Sequence, residues 1–395
     1  MSRSSLALSN LRAVVILIVL AFHSALAYLD FLPASPYRFD QPPYDWQAFA
    51  IIDSRRWFPF DIFCAWQDVY LMSFMFFLSG LFVWPSLTRK QSGTYLWDRF
   101  MRIGLPLVFA MYLLMPIAYY ATYRVTADDP SLAAYWRAWQ ALPFWPTGPQ
   151  WFLWELLALN VAAAGLYKFA PRSGDILARL ASAAREHPIR YFAGLAAVSA
   201  VAYIPLALIF SPWAWTHFGP FAFQLSRPLH YTVYFFAGVA VGAYGLDRGL
   251  LAVDASLARR WGAWLAAALV GFGLWMGPTA LVMAAGDNAP LGLQLAANLG
   301  FVLACASGCF FFVAIFLRFG QHRSRAYDSL SESAYGMYLV HYVFVVWMQY
   351  ALLNVALLAI AKAAIVFGVT LMLSWGTIVA MQRMPLGSRL IGARR

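Results

Sequence analysis

Arg12 and His23 are the two residues whose types and spacing point most directly to chemistry. They lie in one apolar stretch, eleven residues apart, and on a helix they project from the same face, about 16 Å apart along the axis. Ionisable groups are costly inside a bilayer, so each is a functional hypothesis. The imidazole of His23 suits a general base, although a hydrogen-bonded core histidine is the alternative. We predict both residues as catalytic, and Arg12 alone also fits an ordinary residue of the cytoplasmic interface.

A second histidine, His341, ends a polar stripe on another apolar stretch. Tyr335, Tyr338 and His341 recur every three residues, and His341 lies about 12 Å along a helix from Ser333. At that depth it can meet His23. Tyrosine stripes are more typical of packing than of catalysis. We nevertheless predict Tyr338 and His341 as site residues, because either can donate a hydrogen bond to a developing oxyanion.

Aromatic and acidic residues enter two other stretches from the opposite side. Trp151 and Glu155 share a helix face at spacing four, and Asp68 enters the second apolar stretch. A buried carboxylate needs an arginine, a proton or a hydroxyl-rich ligand as its partner. An indole stacks on a sugar ring while a carboxylate accepts from its hydroxyls. We therefore predict Trp151, Glu155 and Asp68 as acceptor-binding residues.

Arg99 and Arg102, at spacing three, lead into the third apolar stretch. Two guanidinium groups on one helix face can bind a phosphate-bearing ligand. A cationic anchor beside the membrane is an equally good interpretation. The three cysteines have no disulfide or metal-ligand spacing. No metal and no bound cofactor are expected.

The amino-acid composition indicates what kind of secondary structure carries these residues. Of the 395 residues, 62% are hydrophobic and only 11% are charged, whereas soluble domains carry about 25% charged residues. The net charge of +11 comes from short cationic clusters between apolar stretches, so no nucleic-acid partner is expected. We predict one all-α domain over residues 1–395, a polytopic transmembrane bundle of about ten helices. The predicted spans are 10–29, 64–85, 104–123, 150–169, 190–211, 229–246, 262–284, 293–317, 333–351 and 355–380.

The distribution of Lys and Arg predicts the orientation. With the amino terminus inside, the inner segments carry 21 of the 28 cationic residues and the outer loops carry six. Both termini are therefore predicted to be cytoplasmic. The first stretch also resembles a secretory signal, with Ala25-Leu26-Ala27 as a cleavage site. Because cleavage would discard Arg12 and His23, we expect this stretch to be retained.

Four stretches together resemble the acyltransferase 3 family of membrane O-acyltransferases, and they cover residues 9 to about 345. Around Trp151-Phe152-Leu153 the chain looks most like the branch that succinylates osmoregulated periplasmic glucans. The stretches are Leu11-Arg12 with His23 after ten residues, Phe77-Leu78-Ser79-Gly80, Arg99-Phe100-Met101-Arg102-Ile103-Gly104-Leu105-Pro106 and Tyr338-Leu339-Val340-His341.

The resemblance implies a function and its residues. His23 looks like the catalytic histidine with Arg12 as its motif partner, and Arg99 with Arg102 looks like the donor-side pair. We assign Tyr338 and His341 to the same acyl-donor side. The family often has an acid where this chain has Ser9, which puts a charge pairing of Arg12 in doubt. The implied reaction moves an acetyl or succinyl group from cytoplasmic acyl-CoA, a co-substrate, to a carbohydrate hydroxyl on the outer side of a bacterial inner membrane. The alternative is a proton-coupled transporter or flippase of a glycan or lipid-linked substrate, although no internal repeat of the kind common in transporters is visible.

Overall fold

A computed structural model describes residues 3–384 and Gly387. This part of the chain is almost entirely helical, as expected. One antiparallel hairpin, β1 (Trp215–Phe218) and β2 (Phe221–Gln224), pairs Trp215 with Gln224. The helices are α1 (Arg3–Ala25), α2 (Pro59–Gly80), α3 (Val83–Arg99), α4 (Leu105–Phe109), α5 (Met115–Thr126), α6 (Leu132–Ala141), α7 (Trp151–Phe169), α8 (Ser173–Ser182), α9 (Pro188–Phe210), α10 (Pro228–Tyr244), α11 (Ser256–Arg259), α12 (Trp261–Ala285), α13 (Leu291–Phe319), α14 (Arg325–Leu352) and α15 (Ala359–Gln382).

The transmembrane bundle is confirmed, with differences in three of the ten predicted spans. Within the described residues, eight helical stretches are long and apolar enough to cross a membrane. The sixth predicted span, 229–246, corresponds to α10, which meets the following segment Gly249–Arg259 at a bend of 82°. The ninth corresponds to α14, whose 28 residues give a length of about 42 Å. α14 is not among the eight apolar stretches, since it carries many polar residues. It can carry them because it packs inside the bundle and presents few side chains to lipid.

Helix α1 lies at the centre of the bundle. It packs against α13, α14 and α15, and more lightly against α2. Small and aliphatic residues along its length are fully buried, among them Ala13 and Leu20. Because lipid is as apolar as these side chains, close packing and interhelical hydrogen bonds rather than the hydrophobic effect hold such helices together. Retention of this stretch stays a prediction, and its loss would remove the central helix of the bundle.

Glycines allow α2 and α10 to approach each other closely. A Cβ added at Gly238 would meet the carbonyl oxygen of Phe77, and one added at Gly80 would meet that of Phe235. This is the small-residue packing that membrane helices favour. The Phe77-Leu78-Ser79-Gly80 motif therefore has a packing role at this interface.

Helices α3, α4 and α5 form one continuous run of 44 residues, Val83–Thr126. Two π-helical turns, Phe100–Gly104 and Ala110–Leu114, join them. Gln91 has a φ of 60° and interrupts α3 near its middle. The span predicted at 104–123 is therefore only a part of this run, and it lies beyond the break at Gln91.

An aromatic assembly covers one end of the bundle, which we name the outer end in keeping with the predicted orientation. We define the outer cap as residues 29–58, α6 and the β1–β2 hairpin. Its rings pack with the end of α5 in one buried cluster, in which Phe39 stacks on Trp46 at 4.4 Å between centroids. The opposite end, where Asn10 bonds the backbone that follows α13, is the inner end.

Candidate active site

The structure brings the two predicted histidines together. Nε2 of His341 lies 3.3 Å from Nδ1 of His23, and the ring centroids are 4.9 Å apart. His341 is fully buried, whereas His23 is half-buried. Tyr342 borders the pair, and its ring centroid lies 5.6 Å from that of His23.

The hydrogen bonds of the two rings decide which nitrogens carry protons. Nδ1 of His341 lies 2.7 Å from the carbonyl oxygen of Tyr338, which can only accept, so this nitrogen is protonated. Nε2 of His341 therefore carries a lone pair and accepts from Nδ1 of His23, which also lies 2.9 Å from the carbonyl of Val19. His23 is thus protonated at Nδ1. Its Nε2 retains a lone pair, which is what a general base or a nucleophile requires.

Helix geometry gives the depth of this pair. Asn10 donates to the carbonyl of Gly320 at the inner end of α13, at 2.8 Å. His23 follows Asn10 by thirteen residues, which is about 20 Å along α1, whereas the 29 residues of α13 span about 44 Å. The histidine pair therefore lies near the middle of the bundle.

Arg12 does not contact His23. Its exposed guanidinium lies over the ring of Phe82, 5.6 Å from the centroid, while His23 is about 16 Å further along α1. Ser9, found where the family often has an acid, bonds Ser331 of α14 at 2.9 Å. Arg12 is therefore placed near the inner end, where it can act on a ligand but cannot act on the imidazole directly.

The two donor-side arginines face different neighbours. The guanidinium of Arg99 lies over the ring of Tyr95, 4.9 Å from its centroid. Arg102 interacts electrostatically with Tyr335 of α14. A π turn begins at Phe100, and its i→i+5 bonds place more residues in each turn than an α-helix does. The angle about the helix axis between residues three apart is therefore larger across this turn than it would be in a regular α-helix.

Tyr338 links His341 to the segment that precedes α7. Its hydroxyl donates to the carbonyl of Pro149, immediately before α7, and its own carbonyl accepts from His341. Both the hydroxyl hydrogen of Tyr338 and the ring N–H of His341 are thus engaged within the protein. An oxyanion contact from either residue stays a prediction, and it would require one of these bonds to break.

The predicted acceptor residues lie around Tyr231 of α10, which the sequence analysis did not single out. The ring of Trp151 stacks on that of Tyr231 at 5.8 Å. Glu155 is buried, and its Oε1 has no hydrogen-bond partner among the described residues. Glu155 and Asp68 both interact electrostatically with Tyr231. The three predicted residues therefore belong to one region of the structure.

Asp68 has a partner that no sequence motif indicated. Arg227, which precedes α10, donates to both carboxylate oxygens of Asp68, at 3.0 and 2.6 Å. The arginine side chain is only 3% exposed. Its single signal in the sequence was its place as an outer-loop cation. Arg227 also borders a cavity of about 40 Å³ between α9, α12 and α13, which has room for about three water molecules and not for a sugar ring.

The outer cap reaches down to the histidine pair through Gln47. The carbonyl oxygen of Gln47 accepts from Tyr119 at 2.7 Å and from Tyr342 at 3.4 Å. Its side-chain oxygen lies 3.0 Å from Nε2 of His217 in the hairpin. The cap is therefore in contact with Tyr342, which borders the histidine pair. Among the described residues, no group of three or more His, Cys, Asp or Glu side chains could hold a metal ion.

A comparison with protein families identifies the family of this chain. A family described as an acyltransferase domain, acyltransferase 3, matches residues 5–379. No curated protein and no solved structure matches the chain. The match covers α2 to α14 completely and all but the outermost residues of α1 and α15. The chain therefore belongs to the acyltransferase 3 family, generally membrane O-acyltransferases, and is an integral membrane acyltransferase.

Proposed function

We propose that this acyltransferase moves an acetyl or succinyl group from cytoplasmic acyl-CoA to a hydroxyl of a carbohydrate acceptor on the outer side of a bacterial inner membrane. The observation that carries the proposal is the free Nε2 of His23, oriented by His341 near the middle of the bundle. A base at that depth lies between the inner end, where the donor would bind, and the outer side, where the acceptor is proposed to be. The resemblance to the glucan-succinylating branch makes a periplasmic glucan the first acceptor to test.

The proposed reaction uses this nitrogen directly. Nε2 of His23 takes the proton of an acceptor hydroxyl, and the oxygen attacks the thioester carbonyl. The tetrahedral intermediate then expels the CoA thiolate, which receives the proton back from His23. In a second order of events, Nε2 attacks the thioester carbonyl first and the CoA thiolate leaves and takes up a proton. The acceptor hydroxyl then attacks the acyl-histidine, takes the acyl group, loses its proton in turn and returns the lone pair to Nε2. Both orders of events need the same tautomer of His23.

The proposed ligand sites lie near the histidine pair. The phosphates of CoA would bind Arg99 and Arg102 towards the inner end, where Arg12 also lies. The carbohydrate would bind near Trp151 and Glu155. In support, Oε1 of Glu155 is a buried acceptor without a partner, and a sugar hydroxyl is a donor that could satisfy it.

Replacing His23 tests the function. His23→Ala and His23→Gln should both insert and fold, and each should reduce O-acylation of surface glycans by about a hundredfold or more. Mass spectrometry of glycans from cells that carry each variant measures this loss. His187→Gln, at an exposed histidine on the inner side, is the matched control and should acylate normally. Full acylation by the His23 variants would refute the assignment.

Titration of CoA tests the donor and separates the enzyme from the transporter alternative. Charge-assisted hydrogen bonds contribute about 1.5–3 kcal/mol each, so Arg99→Ala or Arg102→Ala should weaken CoA binding about ten- to a hundredfold. Lysine at either position should restore only part of the affinity, because an ammonium lacks the planar fork of guanidinium. Calorimetry on detergent-purified protein gives the affinities. Wild-type protein that binds no CoA would contradict the proposed donor.

A further inference from the structure

The last turn of α1 lies at a change of helix type. α1 ends at Ala25, two residues after His23. There the α-helix passes directly into a 3₁₀ turn, Leu26–Tyr28, so the carbonyls of His23 and Ser24 lie where the regular i→i+4 bonds of α1 come to an end. Any group that bonds these carbonyls also fixes the turn on which the imidazole is mounted.

Gln349 of α14 supplies that group. Its side-chain Nε2 donates to the carbonyl of His23 at 2.9 Å and lies 3.5 Å from the carbonyl of Ser24. Gln349 is 3% exposed, so water does not compete for these acceptors. The amide crosses from one helix to the other at the residue that carries the proposed base.

α14 thus holds His23 at two points. His341 bonds the ring, and Gln349, eight residues and about 12 Å further along the same helix, bonds the backbone. A ring bonded at Nδ1 alone could still shift with the backbone where the α-helix changes to the 3₁₀ turn. With its backbone also tied to α14, the imidazole keeps one orientation and one tautomer.

We propose that Gln349 is a positioning residue for His23: it caps α1 and so holds the imidazole against His341 with Nε2 unprotonated. This inference rests on the proposed role of His23 as the base. Misplacement of a catalytic group by about 1 Å can reduce a rate about a hundredfold. Loss of the Gln349 amide should therefore affect the rate of transfer more than the binding of either substrate.

The opposite end of α1 offers a matched control. Nδ2 of Asn10 donates to two backbone carbonyls, of Gly320 at 2.8 Å and of His322 at 2.9 Å. Asn10 and Gln349 are both about 3% exposed. Removal of either amide takes away a buried donor to two carbonyls, but only Gln349 adjoins His23. A purely structural role predicts the same outcome for both.

The test compares Gln349→Met, which keeps the length of the side chain, with Asn10→Leu. In protein labelled with ¹⁵N-histidine, the His23 signals are assigned by their absence from His23→Gln. Wild type should show His23 protonated at Nδ1 and bare at Nε2. Gln349→Met should shift this balance towards Nε2–H and lower kcat about tenfold or more, with KM for acyl-CoA changed less than twofold. Asn10→Leu should lower the melting temperature comparably and leave the tautomer and kcat unchanged.

Gln349→Asn provides a second variant if Gln349→Met does not fold. It keeps an amide but withdraws it by one methylene, so it should reproduce the tautomer shift and the loss of kcat. Unchanged nitrogen signals in the folded Gln349 variant, an equal change in Asn10→Leu, or an unchanged kcat would each overturn the proposal. If His23→Gln itself remained active, the proposed function would fail instead, and the nitrogen signals would still show whether Gln349 orients the ring.

Discussion

Replacing Lys362 by methionine should release part of the outer cap from α15. Nζ of Lys362 lies 2.6 Å from Oδ2 of Asp53, and the two side chains are 0% and 1% exposed. Lys362 also donates to the carbonyl of Leu353, and Oδ1 of Asp53 accepts from the backbone of Arg55 at 2.8 Å. The ion pair therefore connects α15 to residues 29–58.

The magnitude follows from the burial. Removing one partner of a buried ion pair leaves an uncompensated charge and costs about 3–5 kcal/mol. The Arg55 N–H remains on Asp53 and opening exposes the carboxylate to water, so we expect the lower value, about 3 kcal/mol, to apply to local opening of residues 29–58. That corresponds to about a hundredfold increase in the open population. Leucine at Asp53 combined with methionine at Lys362 should recover most of the loss, because no charge is then left unpaired.

Limited trypsinolysis of protein in nanodiscs measures the opening. Arg55 and Arg56 are cleavage sites within the cap, and cleavage follows the open population when closing is faster than cutting. Arg185→Met removes an exposed ion pair with Asp254 and should change the rate less than threefold, because such pairs contribute at most about 1 kcal/mol. Cleavage of Lys362→Met within twofold of the wild-type rate would refute the reasoning.

Three further predictions follow from other contacts. Gly238→Ala should lower the melting temperature, because overpacking costs about 1–3 kcal/mol; Gly262→Ala, which meets nothing within 4 Å, should not, and scanning fluorimetry compares them. Burial lowers the pKa of His217, so the closed cap favours the neutral imidazole over the charged one. This contribution to cap stability is present above about pH 6.5 and is lost as the pH falls through the lowered folded-state pKa. His217→Gln should therefore reduce the acid sensitivity of cap proteolysis, and an unchanged pH profile would contradict this. Sequencing of the purified protein should find the first span intact, whereas cleavage after Ala27 would remove the proposed base.

The fold class was accessible from composition alone, but the boundaries of the spans were not. Apolar stretches of about 20 residues can satisfy their backbone in lipid only as helices, so a helical bundle followed directly. α14 falls short of the apolarity of a lipid-facing span because the bundle surrounds it. The run Val83–Thr126 contains two π turns and a break at Gln91, features that depend on neighbouring helices and leave no periodicity in the sequence.

For the candidate site, the sequence indicated the right residue types but not their partners. Spacing predicted that Arg12 and His23 share a face, yet sharing a face does not bring together two groups about 16 Å apart. Depth along two separate helices predicted that His341 could meet His23, and the rings are in contact. Gln349 is also a polar residue within a predicted span, and it could have been singled out on that ground.

The sequence by itself determined that the chain is a membrane-embedded helical bundle with histidines at mid-depth, because hydropathy and helical period are local properties of the chain. Only the tertiary structure decided which polar groups meet. Asp68 and Arg227 are 159 residues apart, and Asp53 and Lys362 are 309 apart. The tautomer of His23 likewise depends on a carbonyl and an imidazole from α14. These pairings are set by how all the helices pack at once, which no spacing within a single helix records.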